Sequence, residues 1–353
     1  MPGTVLRRRY IFRHGPDKLA PQRNKAQRGI MVLRVTSPKT SPAKVVSRKS
    51  TPPRIVLALQ GGGAHGAFTW GALDRLLESG LEFSAITGVS SGAMIAAMAV
   101  QGHVRGGNAG ARAAVALLWE RVASAHIFSN GMPASPLDWM WGKGMEFGNE
   151  LAMTGFTNAL RMFSPSQLNP MDINPLEPVL RGLLDPAALN DPNAIKLFVG
   201  ATDVESGETK VFTNKEVGVR HLLASACIPM MFPAVEIAGR HYWDGGYSCN
   251  PPLTPVLSPL PDRLILIRAQ PRRRPGVPSS TADIVHRLHE IAFQAPLEAE
   301  LSLLPPHTSL LDIPADAALA HHPLTSKMNT EKGFLDDLFA AGRAAADTAL
   351  RET

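Results

Sequence analysis

Residues 54–100 constrain the fold of this chain more than any other stretch. Ile55-Val56-Leu57-Ala58-Leu59 is a short, unbroken apolar run, the pattern of a strand buried on both faces of a parallel sheet. Glycines follow at once. Residues 64–79 then read as a helix closed by Gly80, the residue type that favours a left-handed cap. A second strand near Phe83-Ser84-Ala85-Ile86 leads into Gly88-Val89-Ser90-Ser91-Gly92, and a small-residue helix over 93–100 comes directly after. Strand, helix, strand, helix at this spacing is a βαβα unit. The expected fold class is therefore α/β, with a mostly parallel central sheet covered by helices.

The two loops of that unit carry the chemistry. Gly88-Val89-Ser90-Ser91-Gly92 is a G-x-S-x-G placed between a strand and a helix, the context of a nucleophile elbow. A sharp turn there thrusts the serine hydroxyl clear of the backbone, and small flanking residues let it close. Taken alone the five residues also suit an ordinary tight turn. Gly61-Gly62-Gly63-Ala64-His65-Gly66 satisfies G-x-G-x-x-G as well, so a dinucleotide fold has to be weighed. That fold needs an acid at the C-terminal end of the second strand. Glu82 has the right count but precedes the strand, and the correct end holds Thr87 and the serine elbow. The glycines fit better as an oxyanion hole, because unobstructed N–H groups at a helix start can meet negative charge developing on a carbonyl oxygen.

Downstream, 111–125 reads as an amphipathic helix, and 196–201 and 264–268 as buried strands. Val235-Glu236-Ile237, a turn at Ala238-Gly239 and His241-Tyr242-Trp243 form a hairpin leading into Asp244-Gly245-Gly246. A helix over 282–304, interrupted by Pro296, and another over 333–351 close the chain. The stretch 128–175 is irregular and proline-rich. Its Trp139, Met140, Trp141 and Met145 suit either a lipid interface or a core beneath a long loop.

Charge divides the chain in two. Residues 1–50 hold 13 Lys and Arg against the single Asp17, a net +12, while the other 303 residues hold 23 basic and 29 acidic side chains, a net −6. The expected organisation is a basic, disordered tail over 1–52 and one acyl hydrolase domain over 53–353. The tail composition also fits an organelle transit peptide or attraction to anionic head groups, and Met31 is an alternative start. A mildly acidic body argues against nucleic acid as a partner. Two cysteines, Cys227 and Cys249, make no disulfide framework and stand in no metal-ligand spacing, so no metal is expected. The reading is of a reduced, cytoplasmic setting with any membrane contact peripheral, since no apolar stretch approaches the roughly 20 residues of a span.

The Gly-Gly-Gly-x-x-Gly loop, the serine elbow, Ala224-Ser225-Ala226-Cys227-Ile228-Pro229 and the distant Asp244-Gly245-Gly246 occur in the order seen in patatin-like phospholipases. The chain resembles the bacterial branch of that family over residues 55–250. The resemblance implies a three-layer α/β/α sandwich, a Ser90–Asp244 dyad, an oxyanion hole at Gly61, Gly62 and Gly63, lipid or other acyl-ester substrates, and no cofactor. One departure is His65, where the family commonly has Arg or Lys; a neutral imidazole there weakens electrostatic help to the oxyanion. An aspartate of ordinary pKa, about 4, is also a poor base for an alcohol unless burial raises it. The rival reading is a Ser-Asp-His triad. Its candidates are the loop histidines His307, His321 and His322, while His286 and His289 read as the polar face of a helix. Acyl-chain preference and oligomeric state are not encoded in these motifs.

Overall fold

The structure, a computed structural model, describes residues 53–125, 128–129, 132–133, 163–306 and 308–352. The basic tail, the Trp139 to Met145 cluster and His307 lie outside the described residues.

Strand β1 is Ile55–Leu59, followed by helix α1 at Gly66–Glu78, strand β2 at Ala85–Val89 and helix α2 at Ser91–Ser124. The two helices expected over 93–100 and 111–125 are separate arms of that span, broken by non-helical backbone at Gly106 and Gly107, where Gly107 takes φ 57°, a value L side chains rarely adopt; a Cβ on Gly102 would lie 2.4 Å from the Gly110 carbonyl oxygen, so the second arm folds back on the first. Helix α3 is Leu176–Leu183, strand β3 Lys196–Asp203 and strand β4 Thr209–Thr213. Helix α4 spans Val219–Ser225, and the expected hairpin forms as β5, Val235–Ile237, and β6, Arg240–Asp244. Strand β7 at Arg263–Ile267, helix α5 at Thr281–Ser302, strand β8 at Ser309–Ile313 and helix α6 at Lys332–Arg351 complete the chain. Helix α5 runs through Pro296 rather than breaking there, contrary to the sequence expectation.

One eight-stranded sheet has the order β8-β7-β1-β2-β3-β6-β5, with β4 also paired to β3. The five strands from β8 to β3 are parallel, and β4, β5 and β6 add antiparallel pairs. Side-chain alternation in β1 divides the core. Ile55, Leu57 and Leu59 pack with α1, α2 and α6 on one face. Val56 and Ala58 pack with Leu253, Val256 and Leu297 on the other, beneath α5. Three layers result. The chain leaves β1 toward β2 on one side and β7 returns on the other, so the strand order reverses at β1, where α/β sheets open a crevice beyond their C-terminal strand ends. Among the described residues no helix is long and apolar enough to cross a membrane.

Candidate active site

Ser90 closes β2 and caps α2 with φ 55° and ψ −127°, a left-handed conformation that strains any residue with a Cβ. The turn is tight because its flanks are glycine: a Cβ on Gly88 would lie 2.6 Å from the Gly92 carbonyl oxygen. Ser225, the last residue of α4, holds the turn from below. Its hydroxyl accepts from the Ser90 amide at 2.9 Å and donates to the Gly200 carbonyl at 2.7 Å. The Ala-Ser-x-x-x-Pro block thus acts as a brace for the elbow.

Asp244 ends β6 and is 3% exposed. Its Oδ1 accepts from the Gly246 amide at 2.8 Å, and the Ser90 side chain lies near enough to its carboxylate to draw its pKa down. Burial pushes the carboxyl up to about 6, against the opposing pull of the Gly246 amide, the Ser90 hydroxyl and the Lys327 charge. The glycines after it are a packing requirement, since a side chain on Gly245 would meet the Gly200 backbone and one on Gly246 would meet Phe293.

The glycine loop departs in detail from the expectation. The Gly61 amide donates to Asn250 Oδ1 at 2.8 Å and the Gly62 amide to Ser91 Oγ at 3.2 Å, so neither N–H is free for a ligand. Of the three amides expected to form an oxyanion hole, those of Gly61 and Gly62 are thus occupied by side chains of the chain itself. The Gly63 and Ala64 amides have no partner among the described residues, and both residues line the same cavity as Ser90.

His65 is buried, and its Nε2 lies 2.8 Å from Ser326 Oγ. Ser326 gives its one proton to the Pro323 carbonyl, so the imidazole must be the donor in this pair. Burial, reinforced by the nearby Lys327 charge, holds His65 far below its ordinary pKa, and it is neutral. The bond fixes the Leu324–Met328 turn against the glycine loop and so brings Lys327 to the cavity. The Lys327 ammonium donates to Gln270 Oε1 at 3.2 Å, and Gln270 Nε2 donates to the Gly61 carbonyl at 2.9 Å. Burial lowers its pKa to about 8, although Glu290 and Asp244 draw it upward.

Ser90 opens into a cavity of about 100 Å³ walled by Met94, Leu118, Trp119, Val122, Leu176 and Phe232. A single water occupies roughly 10–15 Å³ of such space, so there is room for several methylenes.

Among the described residues no histidine is bonded to Ser90 or Asp244. His321 is exposed, and His322 packs edge-on to Phe334 at 5.3 Å. His286 and His289 do not form a solvated face as expected: His286 is buried against Glu290, and His289 stacks on Phe293 at 4.1 Å. Glu82, the acid a dinucleotide would need, lies before β2 and bonds His103 Nε2 at 3.1 Å.

The family model for patatin-like phospholipases matches residues 57–257, more than half of the chain. A search of curated proteins gives no match. Among solved structures, VipD from Legionella pneumophila aligns at 12% identity and TM-score 0.34, covering 84% of this chain and 67% of that one. Human GIVD cytosolic phospholipase A2, solved with methyl gamma-linolenyl fluorophosphonate, aligns at 14% identity and TM-score 0.44, covering 85% and 60%. Full-length ExoU of the Pseudomonas aeruginosa type III secretion system, solved with SpcU, aligns at 14% identity and TM-score 0.28, covering 85% and 53%. The chain thus spans less than two thirds of the last two.

Proposed function

This chain belongs to the patatin-like phospholipase family, whose members are carboxylic ester hydrolases, and from that premise we propose that it cleaves acyl esters of lipids through a Ser90–Asp244 dyad. The observation that carries the reading is the nearness of the Ser90 hydroxyl, at the wall of an apolar cavity, to the buried Asp244 carboxylate. A carboxyl raised to about 6 is a stronger base than a solvated aspartate and is still ionised at neutral pH.

In the proposed reaction the acyl chain enters between Met94, Leu118 and Val122, which places the ester carbonyl beside Ser90. Ser90 Oγ attacks the carbonyl carbon as its proton passes to Asp244. The oxyanion is met by the Gly63 and Ala64 amides, and Lys327 lines the same cavity. Asp244 then returns the proton to the departing alcohol. Water, deprotonated by Asp244, releases the acid and restores Ser90. The scheme draws on side chains and amides throughout.

Fluorophosphonate labelling tests the reading directly, because only an activated serine reacts. The wild-type chain is expected to label and to hydrolyse p-nitrophenyl esters, and Ser90→Ala and Asp244→Asn to do neither while remaining folded. Full activity in Asp244→Asn would overturn the dyad, and its loss in a His307 or His321 variant would favour a triad.

A further inference from the structure

Helix α5 buries charge beside the hydrocarbon of Phe293 and Leu297. Its inward side holds the ionisable groups: Glu290 is 0% exposed and accepts from Arg274 Nη2 at 2.7 Å and Arg287 Nη1 at 3.1 Å, with His286 Nε2 also at 3.1 Å. Its outward side holds Ile284, Val285, Leu288 and Ile291, which are 42%, 45%, 61% and 50% exposed. Exposed Ala292, Ala295 and Ala299 continue the strip. At 100° and 1.5 Å per residue these seven positions fall within an arc of about 120° and along about 22 Å of axis. No charged residue lies inside that arc. An ordinary surface helix has the opposite arrangement, because hydrocarbon facing water forgoes the hydrophobic gain.

One edge of the strip is rich in arginine. Arg272 and Arg273 are exposed in the loop entering α5, and Arg287 Nη2 donates to the Arg272 carbonyl at 3.2 Å, tying loop to helix. Arg273, Arg274 and Arg287 line one cleft together with Asp316, which accepts from the Arg273 amide at 2.9 Å. The Arg273 guanidinium pairs with no carboxylate among the described residues, and Arg272 is only loosely paired with Glu298 and Asp312, at 3.7 and 3.6 Å. Val277, in the same loop, is 92% exposed.

We propose that the outward face of α5 and its arginine edge are a docking surface for an anionic phospholipid bilayer, with the helix lying in the plane of the interface. Hydrocarbon on one face and arginine at its border match the acyl and phosphate layers of such a surface. The net +12 of residues 1–50 has the same sign as that border. The helix also connects the strip to the site: Phe293, on its inward side, abuts Gly246 beside Asp244, and the Lys327 ammonium lies 5.8 Å from the centre of its ring. The inference rests on the reading of the substrate as lipid, since a bilayer-borne ester has to meet the cavity where the enzyme docks.

The test uses the full chain and two separate readouts: co-sedimentation with phosphatidylcholine vesicles, with and without phosphatidylserine, and turnover of a soluble short-chain ester. Ile284→Ser, Leu288→Ser and Ile291→Ser combined should weaken vesicle binding about tenfold or more and leave soluble-ester turnover unchanged. Arg272→Glu with Arg273→Glu should remove only the gain due to phosphatidylserine. Ser90→Ala should sediment like the wild type, so a failure of the hydrolase reading is scored apart from a failure of docking. Wild-type binding by the triple serine variant overturns the proposal. So does a dimer that the triple variant converts to monomer, which would assign the strip to a second copy.

Discussion

The Ser225 hydroxyl accepts from the Ser90 amide and donates to the Gly200 carbonyl, so one side chain bridges the elbow to the neighbouring strand. Alanine at 225 can do neither, and it leaves a buried donor and a buried acceptor unpaired. Ser225→Ala is expected to lose about 1–3 kcal/mol of stability in urea denaturation. Its kcat should fall while KM changes little, because the nucleophile is displaced and the acyl cavity is not.

The backbone at Ser90 is itself strained, and strain of this kind costs about 1–3 kcal/mol. Ser90→Gly relieves it and Ser90→Ala does not. Both variants are expected to be inactive, with the glycine variant the more stable by roughly 1 kcal/mol despite its larger unfolded-state entropy. Equal melting temperatures for the two would contradict the φ of 55°.

The pH profile of kcat/KM follows from two buried groups. Asp244 must be ionised to act as base, so the rate should rise with pH through about 6. Lys327 must be protonated to favour the oxyanion, so the rate should decline above about 8. In Lys327→Met the alkaline limb should disappear. The acid limb should also move to higher pH, because the ammonium no longer opposes protonation of Asp244. An unchanged acid limb would mean that the two groups are not coupled.

Val122 lines the acyl cavity and is 7% exposed. Val122→Phe should shorten the space available to the chain at an overpacking cost of about 1–3 kcal/mol. Hydrolysis of long-chain p-nitrophenyl esters should fall about tenfold or more relative to the acetate. A uniform loss across chain lengths would place the acyl group elsewhere.

Much of this architecture is legible in local sequence. The βαβα unit, the elbow and the hairpin before Asp244 depend on runs of a few residues, and they lie where periodicity and glycine place them. What escaped the sequence is non-local. Whether the Gly61 and Gly62 amides are free depends on Asn250 and Ser91, and no spacing rule connects Asn250 to a loop 189 residues away. Lys327 gives no signal either, as one lysine in a proline-bounded turn. His286 and His289 read as a polar face because nothing local to the helix shows that Arg274 and Arg287 neutralise the Glu290 carboxylate buried beside His286. Strand β8, Ser309–Ile313, went unread because its apolar run is short and interrupted by Asp312.

The matched segment ends at residue 257, yet β1 is hydrogen-bonded on one flank by β7, from Ile55 opposite Arg263 to Leu59 opposite Ile267. A stop codon or a protease cut after 257 would remove that neighbour. It would leave a row of bare peptide groups on the most hydrophobic ribbon of the sheet, the kind of edge through which chains aggregate. The stretch by which the protein is recognised thus leaves β1 with an open flank that the full chain covers with β7, and β7 in turn with β8.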